Sequence, residues 1–187
     1  MKIKTIDGFK IRNTIDLDFS VIGDREVYPY INKGEVWLDK TFVKEKSFFI
    51  KLFNKRRRLI KKFGYEQAKK ILRGKVKTAD LKKIRIKFLK KIKGLTVYLV
   101  KGAAVREALD PNFCFGGHPL IYGYIPKKEV WIDNAAAPKE RKYIILHELY
   151  EFNLIKRGMS YNNAHDYALA AEKEARRNDG IAHYLKD

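Results

Sequence analysis

A chain of 187 residues, 45% hydrophobic and 13% aromatic, can bury one substantial core or two small ones that share an interface. No run approaches the roughly 18 apolar residues of a membrane span, and the N-terminus MKIKTIDGFK lacks the apolar stretch of a signal peptide, so the expected setting is cytoplasmic. Cys114 is the only cysteine, which excludes an intrachain disulfide or a Cys-based zinc site, and the net charge of +19 is unevenly shared: 28 Lys and Arg against 10 Asp and Glu in residues 1–94, 13 against 12 in residues 95–187.

In chain order, KIKTI (2–6) reads as a strand and GFKIRNTI (8–15) as one or two helical turns. VYPYI (27–31), a short polar turn and EVWLD (35–39) read as a β-hairpin, with Pro29 suited to an edge. Helical patterns follow at 46–63 and 64–75. In VKTADLKKIRIKFLKKIKG (76–94), Leu81, Ile84, Phe88 and Ile92 recur at helical spacing among lysines, which predicts a basic amphipathic connecting helix. The order then repeats: TVYLV (96–100) as a strand, GAAVREAL (102–109) as a short helix, LIYGYI (120–125) and EVWID (129–133) as a hairpin with Pro126 at a strand end. Two helical patterns close the chain at 139–157 and 160–177, with Gly158 as a stop and Ser160 as an N-cap.

The repetition extends to residues. At a constant offset of 94, Gly8/Gly102, Arg12/Arg106, Asp16/Asp110, Phe19/Phe113, Gly23/Gly117, Tyr28/Tyr122, Tyr30/Tyr124, Trp37/Trp131 and Asp39/Asp133 are identical pairs. Two extra residues later the register resumes, with Tyr65/Tyr161 and Ala68/Ala164 paired. The chain reads as a tandem duplication of a unit of about 90 residues. The fold class expected is α+β, each unit a small antiparallel sheet with a two-helix hairpin. Three segments follow: a degenerate basic repeat (1–75), the connecting helix (76–94) and a second repeat (95–187).

The run YIILHELYEFNLI (143–155) is apolar on nearly all sides, yet its centre holds His147, Glu148 and Glu151. Charges in such a helix must be paired, protonated or bound to a metal, since leaving them bare costs several kcal/mol. His147 and Glu151 stand at i and i+4, and His165 and Glu172 lie two turns apart on the next helix, so four ligand-type groups can converge in a helical hairpin. In HELYE the chain resembles the zincin metallopeptidases, whose active-site helix carries HExxH and whose further ligand comes from a later helix. The resemblance covers about 50 residues, including an edge strand (129–133) before the helix. It implies His147 as first ligand, Glu148 as the general base that activates the attacking water, and His165 or Glu172 as the downstream ligand. Glu151 stands where the second His would be, a departure that leaves zinc, iron and manganese all compatible with the set. In the opposing reading, His147 and His165 are core imidazoles bonded to Glu151 and Asp166, with no metal. Opposite His147, Glu148, Glu151 and His165 the first copy has Lys51, Leu52, Lys55 and Lys69, so the whole set changes together. His118, in GGHP opposite Asp24, reads as a surface turn, Trp37 and Trp131 as core aromatics, Cys114 as a buried small hydrophobe, and His183 carries no signal.

KLFNKRRRLIKKF (51–63) and IRIKFLKKIKG (84–94) hold Lys51, Lys55, Arg56, Arg57, Arg58, Lys61, Lys62, Lys87, Lys90 and Lys91, and Lys69, Lys70 and Lys83 lie between them. Nucleic acid held by backbone contacts, or another acidic macromolecule, is the partner this suggests; a solvated lysine face is the plainer reading, and an anionic membrane surface a smaller one. The leading expectation is a metal-dependent hydrolase, peptidase-like, with a basic non-catalytic N-terminal repeat that docks on such a partner. The alternative is a non-enzymatic nucleic-acid-binding accessory protein whose His/Glu cluster is structural.

Overall fold

The computed structural model describes residues 1–73 and 80–183, apart from the side chains of residues 65, 66, 69 and 73. Strand β1 (Lys2–Ile6) leads into helix α1 (Gly8–Thr14), and the chain returns through β2 (Ile22–Asp24) to β3 (Glu35–Asp39). A 3-10 turn (Lys40–Glu45), α2 (Lys46–Phe63) and α3 (Tyr65–Arg73) complete the first half. The second half runs α4 (Leu81–Ile84), β4 (Arg85–Ile92), β5 (Leu95–Val100), α5 (Gly102–Ala108), β6 (Gly116–Gly117), β7 (Glu129–Asp133), α6 (Arg141–Lys156) and α7 (Tyr161–Asn178). The fold is α+β with two small sheets, β1-β3-β2 and β4-β5-β7-β6. Both are mixed, not antiparallel as expected, because each strand–helix–strand path brings the chain back to the same end of its sheet: β1 lies parallel to β3, and β5 to β7.

Two other expectations change. VYPYI and LIYGYI are turns, and the antiparallel partners of β3 and β7 are the earlier, shorter β2 and β6. The amides of Tyr28 and Ile31 donate locally to Asp24 O (2.8 Å) and Tyr28 O (2.9 Å), and Tyr122 and Ile125 donate likewise to His118 O (3.0 Å) and Tyr122 O (2.8 Å). The alternation that suggested strands instead builds rows of tilted and edge-on rings. Phe19, Tyr28, Tyr30 and Trp37 follow one another at 5.0, 5.7 and 6.0 Å between centroids, and Phe113, Tyr122, Tyr124 and Trp131 at 5.9, 5.5 and 6.1 Å.

Among its described residues, the expected connecting helix over 76–94 is helical only at Leu81–Ile84; from Arg85 it is β4, antiparallel to β5. Its first residues, like the end of the predicted 64–75 helix, fall outside the described residues. Register shifts at Arg85/Lys87 and Phe88/Lys90 each leave one residue unpaired, and of the positions that suggested a helix Ile84 is buried at the end of α4 while Phe88 stands exposed opposite Tyr98. Lys93 (φ 47) and Gly94 (φ 83) form the two-residue turn into β5, both left-handed as such hairpins require.

The paired residues join the halves. Arg12 donates Nη2 to Asp39 (2.8 Å), Nη1 to Phe19 O (3.2 Å) and two bonds of 2.7 Å to Glu140 of the other half. Arg106 repeats this with Asp133, Phe113 O (2.9 Å) and Glu45, across the same interface in the opposite direction. Phe42 and Phe49 of the first half and Phe115 of the second pack between them. Gly8 and Gly102 have one reason to be glycine: a Cβ there would lie 1.9 Å from Asp39 Oδ2 or 2.1 Å from Asp133 Oδ1.

Candidate metal centre

Helix α6 crosses the second core with Tyr143, Ile144, Ile145 and Phe152 buried, and its His147 and Glu151 are buried with them. Helix α7, capped by Ser160, buries Ala164, Ala168, Glu172 and Arg176, one residue per turn. The two alanines let α7 lie close against α6, because interaxial distance follows side-chain size at the contact. His165, one residue off that stripe, reaches the same point from its edge. On the other side α6 presses onto β6, where a Cβ on Gly116 would stand 2.8 Å from Glu148 Oε1.

His147 Nε2, His165 Nδ1 and Glu151 Oε2 converge. His147 Nε2 lies 3.2 Å from His165 Nδ1 and 3.7 Å from Glu151 Oε2, and His165 Nδ1 lies 2.9 Å from that oxygen. These separations bracket the ~3.4 Å edge of a tetrahedron built on bonds of about 2.1 Å. The outward nitrogens of both rings face carboxylates: His147 Nδ1 is 3.1 Å from Glu172 Oε2, and His165 Nε2 is 3.7 Å from Asp18 Oδ1 of the first half. A proton on each outward nitrogen leaves the inward lone pairs aimed at one centre, the tautomer a metal ligand needs. These three groups could hold a metal ion. His118, Glu148 and Glu151 form a second set of closely spaced ligand-type atoms that shares Glu151.

Expectation and structure differ residue by residue. His147, Glu151 and His165 meet as expected. Glu172 stands behind His147, held by Arg176 Nε (2.9 Å) and Nη2 (2.7 Å). Asp166 is exposed on α7, and His165 bonds Glu151 in its place. His118, expected in a surface turn, is fully buried: its Nε2 lies 2.8 Å from Glu151 Oε1, its ring packs on Phe152, and its Nδ1 has no partner among the described residues. Cys114 is half-buried in the wall of the cleft, its thiol pushed up to about 12 by burial. The signal for His118 was the Gly-Gly before it, which lets the backbone sit close under α6.

Charge follows this geometry. Burial alone would lower the His147 imidazole, but hydrogen bonds to Glu151 and Glu172 outweigh it and hold it up at about 10. Bonds to Asp18 and Glu151 hold His165 at about 9. Burial raises Glu151, yet bonds from His118, His147 and His165 outweigh that and carry it well below the usual carboxylate range. Glu172 is lowered too, burial being outweighed chiefly by His147 and Arg176. Glu148 is the exception. No hydrogen bond to its carboxylate is found among the described residues, and burial pushes it up to about 7.

The cluster opens on a cleft of about 210 Å³ between the halves, lined by α6 and α7 and by Leu17, Asp18, Phe19 and Ser20 of the first half. Asp18 and Ser20 also line a larger groove of about 1140 Å³ under α2, with Arg56, Arg57, Arg58 and Lys61 on one wall. Helix α2 buries Phe49 and Phe53 and exposes Lys51, Lys55, Arg56, Arg57, Arg58, Lys61 and Lys62. Arg57 pairs with Asp24 and Glu26, so part of this charge is compensated. Lys70, Lys83, Lys87, Lys90 and Lys91 are exposed on α3, α4 and β4, while the side chain of Lys69 is outside the described residues. No helix among the described residues is long and apolar enough to cross a membrane. No protein-family model, curated protein or solved structure matches the chain.

Proposed function

We propose that the chain is a metal-dependent hydrolase of the peptidase type, with His147 Nε2, His165 Nδ1 and Glu151 Oε2 as ligands of one divalent cation. The observation that carries this reading is the convergence of three donor atoms at tetrahedral spacing, each ring backed by a carboxylate, beside an open cleft. Two imidazoles and one carboxylate in that geometry favour zinc, with iron or manganese as the other candidates. Glu172 then orients His147 from behind, and His118 fixes Glu151 through its second oxygen. A bound dication supplies Lewis acidity toward a substrate carbonyl and the attacking water.

Glu148 supplies the proton chemistry. Its carboxylate lines the cleft with no hydrogen-bond partner among the described residues, placed to take a proton from water and return it to a leaving amine. The basic face of α2, whose groove meets the cleft at Asp18 and Ser20, is the docking surface for nucleic acid or an acidic macromolecule, through backbone-type contacts. Elemental analysis and zinc titration of the purified chain are the decisive test. One tightly held transition metal per chain, lost in His147→Ala and kept in Glu148→Gln, is the expected result; a chain that neither holds nor gains a cation removes the enzyme.

One observation favours the competing reading of a non-enzymatic nucleic-acid-binding accessory protein: each of the three converging groups also has a protein partner of its own. In that case oligonucleotide binding persists, falls steeply with salt, and is indifferent to His147→Ala.

A further inference from the structure

The first half reaches the metal ligands through a chain of buried contacts. Glu140 Oε1 accepts from Arg12 Nε at 2.7 Å and lies 3.5 Å from Arg176 Nη2. Arg176 Nη1 donates to Asn13 Oδ1 at 3.0 Å, and its Nε and Nη2 hold Glu172 Oε1. Glu172 Oε2 then faces His147 Nδ1 at 3.1 Å. Arg176 is 1% exposed, so its direction is set by these partners and by the Tyr143 ring, 4.6 Å below its guanidinium.

The opposite interface makes the same first contact: Arg106 grips Glu45 as Arg12 grips Glu140. There, however, the residue aligned with Asn13 is Glu107, exposed to solvent. Asn13, by contrast, is buried, and the only work its side-chain oxygen does among the described contacts is to accept from Arg176.

We infer that Arg12 and Asn13 are positioning residues of the metal centre: by fixing Arg176 and thereby Glu172, the first half sets the tautomer and aim of His147. The divergent half is thus a part of the site, beyond any docking role. This rests on His147 being a metal ligand. Outer partners of ligating histidines are worth roughly 10- to 100-fold in metal affinity, and the effect is expected here at two removes.

The mirrored interface supplies the control. In the full-length protein, Asn13→Ala and Arg12→Lys should each weaken cobalt(II) binding by about tenfold and change the visible d–d spectrum of the cobalt-loaded chain. Arg106→Lys, which cuts the equivalent buried grip, should leave affinity within about twofold and the spectrum unchanged, whatever it does to the melting temperature. Equal weakening by Arg12→Lys and Arg106→Lys, or wild-type binding by Asn13→Ala, would overturn the inference while leaving the metal site standing. A wild-type chain that takes up no cobalt or zinc overturns both.

Discussion

Up to Asp39 and Asp133 the two halves solve their packing in the same way: a strand, a short helix whose arginine turns back onto the last strand, and four aromatic rings in a row of tilted contacts. Beyond that point they part. The first half lays down α2, which buries Phe49 and Phe53 and carries its lysines and arginines on the exposed side; the second lays down α6, buried on nearly every side, with His147 and Glu151 inside. The arginine exchange is common to both halves, while the helices that follow it differ in charge and burial.

The largest expected effect separates the halves outright. Glu148→Gln should cost about 10²- to 10⁴-fold in hydrolysis with metal content unchanged, while substitution of the aligned Leu52 by Gln should leave activity alone. A hydrolytic rate that survives Glu148→Gln would leave α6 no more catalytic than α2. Next come substitutions that should strike both halves alike. Gly8→Ala and Gly102→Ala each drive a methyl into a buried carboxylate paired with arginine, and each should cost at least about 3 kcal/mol in denaturant unfolding. If only one of the two is destabilised, the equivalence of the two scaffolds is broken.

Charge gives a smaller contrast. Replacing Lys51, Lys55, Lys61 and Lys62 together by Gln should lower oligonucleotide affinity by tenfold or more at low salt and flatten its salt dependence. The same treatment of Lys139, Lys142 and Lys156 around α6 should change little, and equal losses from both would mean that net charge, not the α2 face, does the binding.

The pH response sharpens the reading of the second half. Without metal, the raised pKa values of His147 and His165 add stability that is whole below about 6.5 and lost as pH rises through about 9 to 10. With a cation bound the sign reverses, since protons compete with it, so added zinc should stabilise more at pH 8 than at pH 6 in thermal melts. Zinc protection that does not grow with pH would argue against these rings as ligands. Smallest is a capping difference. Asp7 accepts from the Lys10 amide at the start of α1, whereas at Lys101 the α5 terminus is served by Asn134 accepting from Gly102. Asp7→Ala should cost about 1 kcal/mol and Lys101→Ala close to nothing.

Much of the site could be read in the chain. An apolar helix that retains His, Glu and Glu at i, i+1 and i+4 announces an internal polar cluster whatever the fold, and the parallel replacement of all its members in the first copy marks them as a set. His118 could not be read that way, since a lone histidine in a Gly-Gly turn looks like surface until α6 is seen lying across it. Arg176 was hidden for the opposite reason: an arginine near a helix end is ordinarily solvent-exposed, and only the arrival of Asn13 and Glu140 buries it. β4 was misread because Phe88 and Ile92 stand four apart, as on a helix face, whereas in the strand they pair with Tyr98 and Leu95 on opposite faces of the sheet.

Local periodicity, the paired identical residues and the charge split belong to the chain itself, and the sequence alone determined them: the strands β1, β3, β5 and β7, the basic α2 and the polar heart of α6. Which carboxylate meets which ring nitrogen, that the first half closes one wall of the cleft, and that Glu172 stands behind His147 were decided only when distant segments packed. Those contacts join residues up to 163 positions apart, and a hydrogen bond depends on ångström placement of both partners, which no pattern along one segment encodes.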